Sequence, residues 1–233
     1  MSTNLNPAAN LAANLAANPA AALSATMPPT RRTSAPLLSA FCAAVLGFAA
    51  LHGAGALAAA PAQLKSGVFD PPRVAPEIAL PSSRGGQFSL NSLRGKVVVL
   101  EFGYTHCLDV CPVSLASLAQ ARKSLGAASA DVQVVFVTVD PARDSASHLR
   151  SYLAAFDPGF IGVSGSPAQI DALLKSYGIS ATRRMVDGSK TDYTMHHSSY
   201  LYFIDRKGML RALMPFGRPW SDMAHDMTIL LKQ

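Results

Sequence analysis

The chain has 233 residues, with 20 Lys and Arg against 14 Asp and Glu for a formal net charge of +6. That length fits one domain of ordinary size with appendages, and the mild positive balance suits acidic partners or anionic lipid headgroups. With no dense Lys/Arg run and no basic stripe interleaved with aromatics, the composition argues against nucleic-acid binding.

The N-terminal part is built from Ala, Asn and Leu. Residues 1–26 repeat these three almost without interruption and carry no charge, so residues 1–30 are expected to be unstructured. Met27 opens a segment that reads as a complete export signal and could itself be the start of translation. Arg31 and Arg32 form a positive end, Pro36 to Leu51 is apolar, and no formal charge follows from Thr33 to Leu64. Residues 31–60 are therefore expected to be a transmembrane anchor or a cleaved signal peptide, with Ala56-Leu57-Ala58 as the cleavage point. Either way the positive end stays in the cytoplasm. The expected location is the inner (cytoplasmic) membrane, with the remainder in the periplasm. Phe41 is too bulky to precede a lipid-bearing Cys42, which reads as a small hydrophobe. Residues 61–76 are Pro-rich and expected to be a linker, and residues 77–233 form the folded domain.

Within that domain KVVVLEFGY (96–104) is a Val-rich continuous run, expected as a strand buried on both faces. The segment THCLDVCP follows, then a helix over 113–126. A second buried strand is expected at 131–140, a helix at 145–156 capped by Asp144 or Ser145, and a short strand at 160–165. Ser166-Pro167 opens a further helix. Residues 198–205 and 209–215 read as a hairpin around Arg206-Lys207-Gly208, and an amphipathic helix closes the chain. Strands alternating with helices imply an α/β fold. Its central mixed sheet is flanked by helices, parallel at first and antiparallel at the end.

Cys107 and Cys111 are the chemically informative pair. They sit where the first strong strand meets its helix, the place where α/β folds bind ligands. One pair is too few for a disulfide framework. A helical segment would put both sulfurs on one face, within reach of a disulfide or of one soft cation. A helix N-terminus would favour their thiolates, and Pro112 suits a first turn. Two thiolates hold Cu(I) in a linear site, and a third nitrogen donor would also suit Cu(II). The arrangement looks like that of thioredoxin, but with three residues between the cysteines instead of two. Thioredoxin has a cis-proline before the next central strand, where this chain has His196 and His197. Neighbours there point to opposite sides, so one imidazole is expected to face the thiols.

The segments GYTHCLDVCP, VFVTVDPARDS, AFDPGFIGVSGS and DYTMHHSSYLYFID, in that order, resemble the Sco/SenC family of thioredoxin-fold copper proteins that serve cytochrome c oxidase. The resemblance covers about residues 70–233. It implies that Cys107, Cys111 and His197 are metal ligands for copper, as Cu(I) or Cu(II). It also implies that the partner is the copper A centre of cytochrome c oxidase subunit II. Asp192 and Tyr193 open the segment that bears the histidine. Leu108 stands where the family commonly has proline, and His196 where it usually has aspartate. Other periplasmic copper or thiol-redox proteins are possible partners.

The remaining polar residues carry blander expectations. His196 is read as a surface or neighbouring histidine, His106 as solvent-facing, and Asp109 as either a partner contact or a solvated loop residue. Met185 and Met195 are read mainly as packing, and DPARD around Asp140 as turn and capping chemistry. His148 and His225 receive no role. The competing function is a periplasmic thiol-disulfide reductase, with Cys107 as nucleophile and Cys111 as resolving thiol; such an enzyme does not need His197.

Overall fold

The computed structural model describes residues 63–233. The expected unstructured tail, the membrane segment 31–60 and the alternative start at Met27 all lie outside the described residues. Among those described, no helix is long and apolar enough to cross a membrane.

The architecture is a mixed α/β thioredoxin-like fold. Strands β4 (Val97–Gly103) and β5 (Val132–Thr138) form its centre, and every residue in both is buried. This is why their sequences read as continuous apolar runs: helices cover both faces of the sheet. The six-stranded sheet has the order β1 (Gly67–Val74), β10 (Met209–Pro215), β9 (Tyr200–Ile204), β4, β5 and β6 (Ile161–Val163). Strand β6 runs parallel to β5, and β5 parallel to β4. Strand β9 is antiparallel to β4, and β10 antiparallel to β9. The helices are α1 (Val110–Ser124), α2 (Ala146–Ala154), α3 (Pro167–Tyr177) and α4 (Trp220–Leu231). Ser166 closes a full capping box with Gln169 at the start of α3, with proline in the first turn as expected. Ser145, one of the two expected caps, accepts from the His148 amide to start α2.

Three features depart from the sequence reading. First, strand β1 (Gly67–Val74) lies inside the stretch 61–76 expected as a linker and pairs with β10. Second, α1 begins at Val110, three residues before the expected Val113, and takes in Cys111 and Pro112. Third, two small sheets stand apart from the main one. One joins β2 (Ala79–Pro81) and β3 (Gln87–Ser89). The other joins β7 (Ala181–Met185) and β8 (Tyr193–His197). The histidines therefore occupy the end of a strand in a two-stranded ribbon, not a loop.

Candidate metal centre

Strand β4 ends at Gly103, and residues 104–109 turn the chain into α1. A Cβ at Gly103 would lie 2.8 Å from the Cys111 sulfur and from the Phe136 ring, so glycine is required for Cys111 to tuck against the sheet. Cys111 is 1% exposed and Cys107 is half-buried. Both are free thiols. Cys107 precedes the helix, so the expectation that both lie on one helical face is replaced by a different geometry. The loop carries Cys107 over the open end of α1, where the Cys111 amide donates to the Cys107 sulfur at 3.4 Å. Asp109 occupies the cap position without a side-chain capping bond. Leu108 is 97% exposed.

The two sulfurs divide one proton unequally. Cys111 donates its S–H to Cys107, which lowers the Cys107 pKa to about 5, against the opposing effect of burial; the amides of Cys111, Asp109 and Val110 add to the lowering. The Cys111 thiol is pushed strongly upward by the same bond, by burial and by Glu101. At neutral pH the pair is one thiolate and one thiol.

Glu101 was hidden in the apolar run of β4. Its side chain is buried, one oxygen has no hydrogen-bond partner, and burial raises its pKa to about 8, opposed by a bond from Ser114. It is neutral at pH 7. A single acid within an otherwise apolar strand was the signal available in the sequence.

His197 ends β8. It lines the same cleft as Cys111, together with Glu101, Tyr200, Phe216 and Met223; the cleft encloses about 110 Å³. The His197 Nδ1 lies 3.0 Å from the carbonyl oxygen of Ser198. A carbonyl only accepts, so Nδ1 carries the hydrogen and Nε2 keeps a free lone pair for a metal. Tyr104 packs edge-on against the ring at 6.0 Å between centroids. His196 is exposed and pairs across the ribbon with Thr182. Alternation along β8 thus separates the two imidazoles.

The ribbon is fastened to the main body through polar contacts. The Tyr193 hydroxyl donates to Asp140 Oδ1 at 2.9 Å, and Arg143 donates to the Tyr193 carbonyl at 3.1 Å. Arg143 also pairs with Asp140 and lies 3.7 Å over the Tyr193 ring, while Arg183 lies 3.9 Å over it. Asp140 and Arg143 of the DPARD segment therefore anchor the histidine-bearing strand, beyond the turn role expected of them. Met195 is half-buried against the core, and Met185 is exposed at the far end of β7. Asp192 is exposed at the entry to β8. His225 contacts Asp226 on α4.

Two sulfurs and an imidazole nitrogen make a donor set for a soft or borderline ion, and their chemistry fits copper. The three are not clustered tightly. Among the described residues, the trio of His, Cys, Asp or Glu donors that all lie within 4.8 Å of one another is a different one, His106, Asp144 and His148. Joining Cys107, Cys111 and His197 on one ion therefore requires the ribbon and the thiol corner to approach.

Known proteins resemble this chain over most of the described residues. A "SCO2-like protein" of Rickettsia felis is 32% identical over 136 residues, 58% of this chain and 66% of that one. "Protein sco1" of Schizosaccharomyces pombe is 31% identical over 149 residues, 63% of this chain and 56% of that one. The match thus spans just under two thirds, or less, of these relatives' own length. Among solved structures, Bradyrhizobium japonicum ScoI with copper bound superposes with a TM-score of 0.63 at 34% identity, covering 68% of this chain and 99% of that chain. Yeast Sco1 with copper bound gives 0.62 at 27% identity, covering 70% and 90%. The SCO1/SenC family model matches residues 69–232, and the chain belongs to that family.

Proposed function

We propose that this protein is a membrane-tethered copper carrier. Cys107, Cys111 and His197 hold Cu(I) or Cu(II) as cargo and pass it to the copper A centre on subunit II of cytochrome c oxidase. The observation that carries the reading is a thiolate–thiol pair, both sulfurs free, whose buried member shares a cleft with an imidazole. Relatives solved with copper bound support it. The tether would be the apolar segment 31–60, with the folded domain in the periplasm.

The chemistry follows from the shared proton. Cu(I) takes the place of the hydrogen between the sulfurs, so binding at neutral pH releases one proton, from Cys111. The free Nε2 of His197 supplies the third donor once the ribbon closes. Thiolates of the receiving protein then displace the three ligands in turn. Affinity falls as pH drops, because protons compete for the same sulfurs. The test loads the full chain with Cu(I) and mixes it with the reduced, copper-free soluble domain of subunit II. After separation, copper on subunit II supports delivery, and copper retained on this chain contradicts it.

The low pKa of half-buried Cys107 favours a second reading, a thiol-disulfide reductase acting on subunit II or other disulfides. The Cys107 thiolate would attack a substrate disulfide and expel one substrate thiolate. Cys111 would then lose its proton and attack Cys107, releasing the second thiolate and leaving a Cys107–Cys111 disulfide. Mixing the copper-free chain with oxidised subunit II separates the readings. Stoichiometric reduction that survives His197→Ala favours the enzyme.

A further inference from the structure

A second constellation stands beside the thiol pair, built from the loop before α1 and the first turn of α2. Asp144 is fully buried. Its Oδ2 accepts from the Thr105 amide at 3.1 Å and the Thr138 hydroxyl at 2.7 Å; its Oδ1 accepts from the Thr105 hydroxyl at 2.6 Å. The Thr105 hydroxyl thereby commits its single proton to Asp144. Its remaining contacts, to His106 Nδ1 at 3.1 Å and His148 Nε2 at 3.0 Å, must be imidazole N–H groups donating to oxygen. Two imidazoles thus converge on an oxygen that already touches a buried carboxylate.

Charge supplies an independent pointer. Among the described residues no Lys or Arg forms an ion pair with Asp144. Arg143, its neighbour in sequence, is taken by Asp140. The ionisable groups at its open side are the two histidines: His106, whose Nδ1 is 3.9 Å from Oδ1, and His148, within 4.8 Å. A buried carboxylate held only by neutral donors is costly, and a cation at its open side offsets that cost. The histidines on that side are both exposed, so their rings can swing, whereas Asp144 is fixed.

We propose that His106, Asp144 and His148 form a second cation site, separate from the thiols, that takes a borderline divalent ion such as Zn(II) or Cu(II). Metal–nitrogen and metal–oxygen bonds of about 2.0–2.2 Å need the donors drawn closer than their present 4.8 Å limit. Small rotations of the two exposed rings provide this. On binding, each imidazole carries its proton on the far ring nitrogen, His106 on Nε2 and His148 on Nδ1, so that His106 Nδ1 and His148 Nε2 offer lone pairs to the ion; the Thr105 hydroxyl is placed to be a fourth donor. Nitrogen and oxygen donors suit divalent ions, while the adjacent sulfurs suit Cu(I). His106 is bonded directly to Cys107, so the two sites share the loop between β4 and α1.

This site does not depend on the copper-carrier reading and is tested without it. The full chain carrying Cys107→Ser and Cys111→Ser is titrated with Zn(II) against a chromophoric chelator. One equivalent of Zn(II) is expected. Adding His106→Gln or His148→Gln should weaken it roughly tenfold or more, and His197→Ala should leave it unchanged. Cu(II) bound to the same protein should show paramagnetic resonance splitting from two nitrogens. Both histidines are exposed, and a thermal melt of each variant confirms the fold. Zn(II) binding that is absent, that survives loss of both histidines, or that depends on His197 would overturn the proposal.

Discussion

The thiol corner and the histidine ribbon are held in place by opposite means. Cys111 is pinned by apolar contact: β4 and β5 are buried throughout, and Gly103 leaves room for its sulfur and nothing more. The β7–β8 ribbon carrying His197 is mostly exposed and forms a sheet of its own. It depends on the Tyr193 hydroxyl, the Arg143 guanidinium and the partly buried Ala181 and Met195, and its open end is closed by the Ser198 amide donating to the Ser180 carbonyl and the Ser180 amide donating to the Ser198 hydroxyl. Cores resist displacement, whereas elements with few buried contacts open at low cost. The difference teaches that the sulfurs are a fixed base and the imidazole an adjustable third arm. A carrier that must release its cargo needs such an arm.

The largest effect should come from the fixed base. Cys107→Ser or Cys111→Ser should bring Cu(I) binding at the thiol site below what a competing chelator can detect, because one remaining sulfur cannot clamp the ion. Binding that survived either change would break the comparison.

Next is Glu101, whose buried side chain has a folded pKa of about 8 against an ordinary 4.5. A raised acid contributes stability that is complete below about pH 4.5 and lost as pH rises through about 8. The unfolding free energy of the natural chain should therefore fall relative to Glu101→Gln, by about 3 kcal/mol between pH 5 and 8. Urea denaturation of both proteins across that range checks it, and parallel curves would contradict it.

Gly103→Ala should cost about 1–3 kcal/mol through overpacking against Cys111 and the Phe136 ring. The same change should broaden the thiolate titration of Cys107, followed by alkylation rate against pH. The smallest effect belongs to the ribbon. Tyr193→Phe removes one hydrogen bond to Asp140, worth about 1 kcal/mol. It should leave thiol alkylation unchanged while weakening the part of copper affinity that depends on His197. Equal changes at both places would mean that ribbon and corner move as one body.

What the sequence showed clearly were the elements governed by apolar patterning and caps. The Val-rich strands, the Ser166-Pro167 helix start and the closing hairpin were readable because burial and turn chemistry leave strong local signatures. Strand β1 was not, because Pro71 and Pro72 read as a linker. It is an edge strand, where prolines are tolerated, and its pairing register breaks between Val68 and Arg73, around those prolines. The ribbon was invisible because ATRRM and YTMHH carry no buried stripe; its fastening by Arg143 and Asp140 is a long-range arrangement of charges. The thiol pair stood out by its spacing and its place after β4. The proton that it shares depends on Cys107 hanging over the helix end, which spacing alone does not specify.

The central claim is that Cys107, Cys111 and His197 act on one copper ion. The most direct measurement is an anaerobic Cu(I) titration of the reduced full chain against a competing chelator, repeated with His197→Ala and His196→Ala. The account predicts one tightly held equivalent, weakened roughly 10–100-fold by His197→Ala and unchanged by His196→Ala. Binding no tighter than that of a bare dithiol, indifferent to both histidines, would contradict it and leave the thiol reductase as the working mechanism.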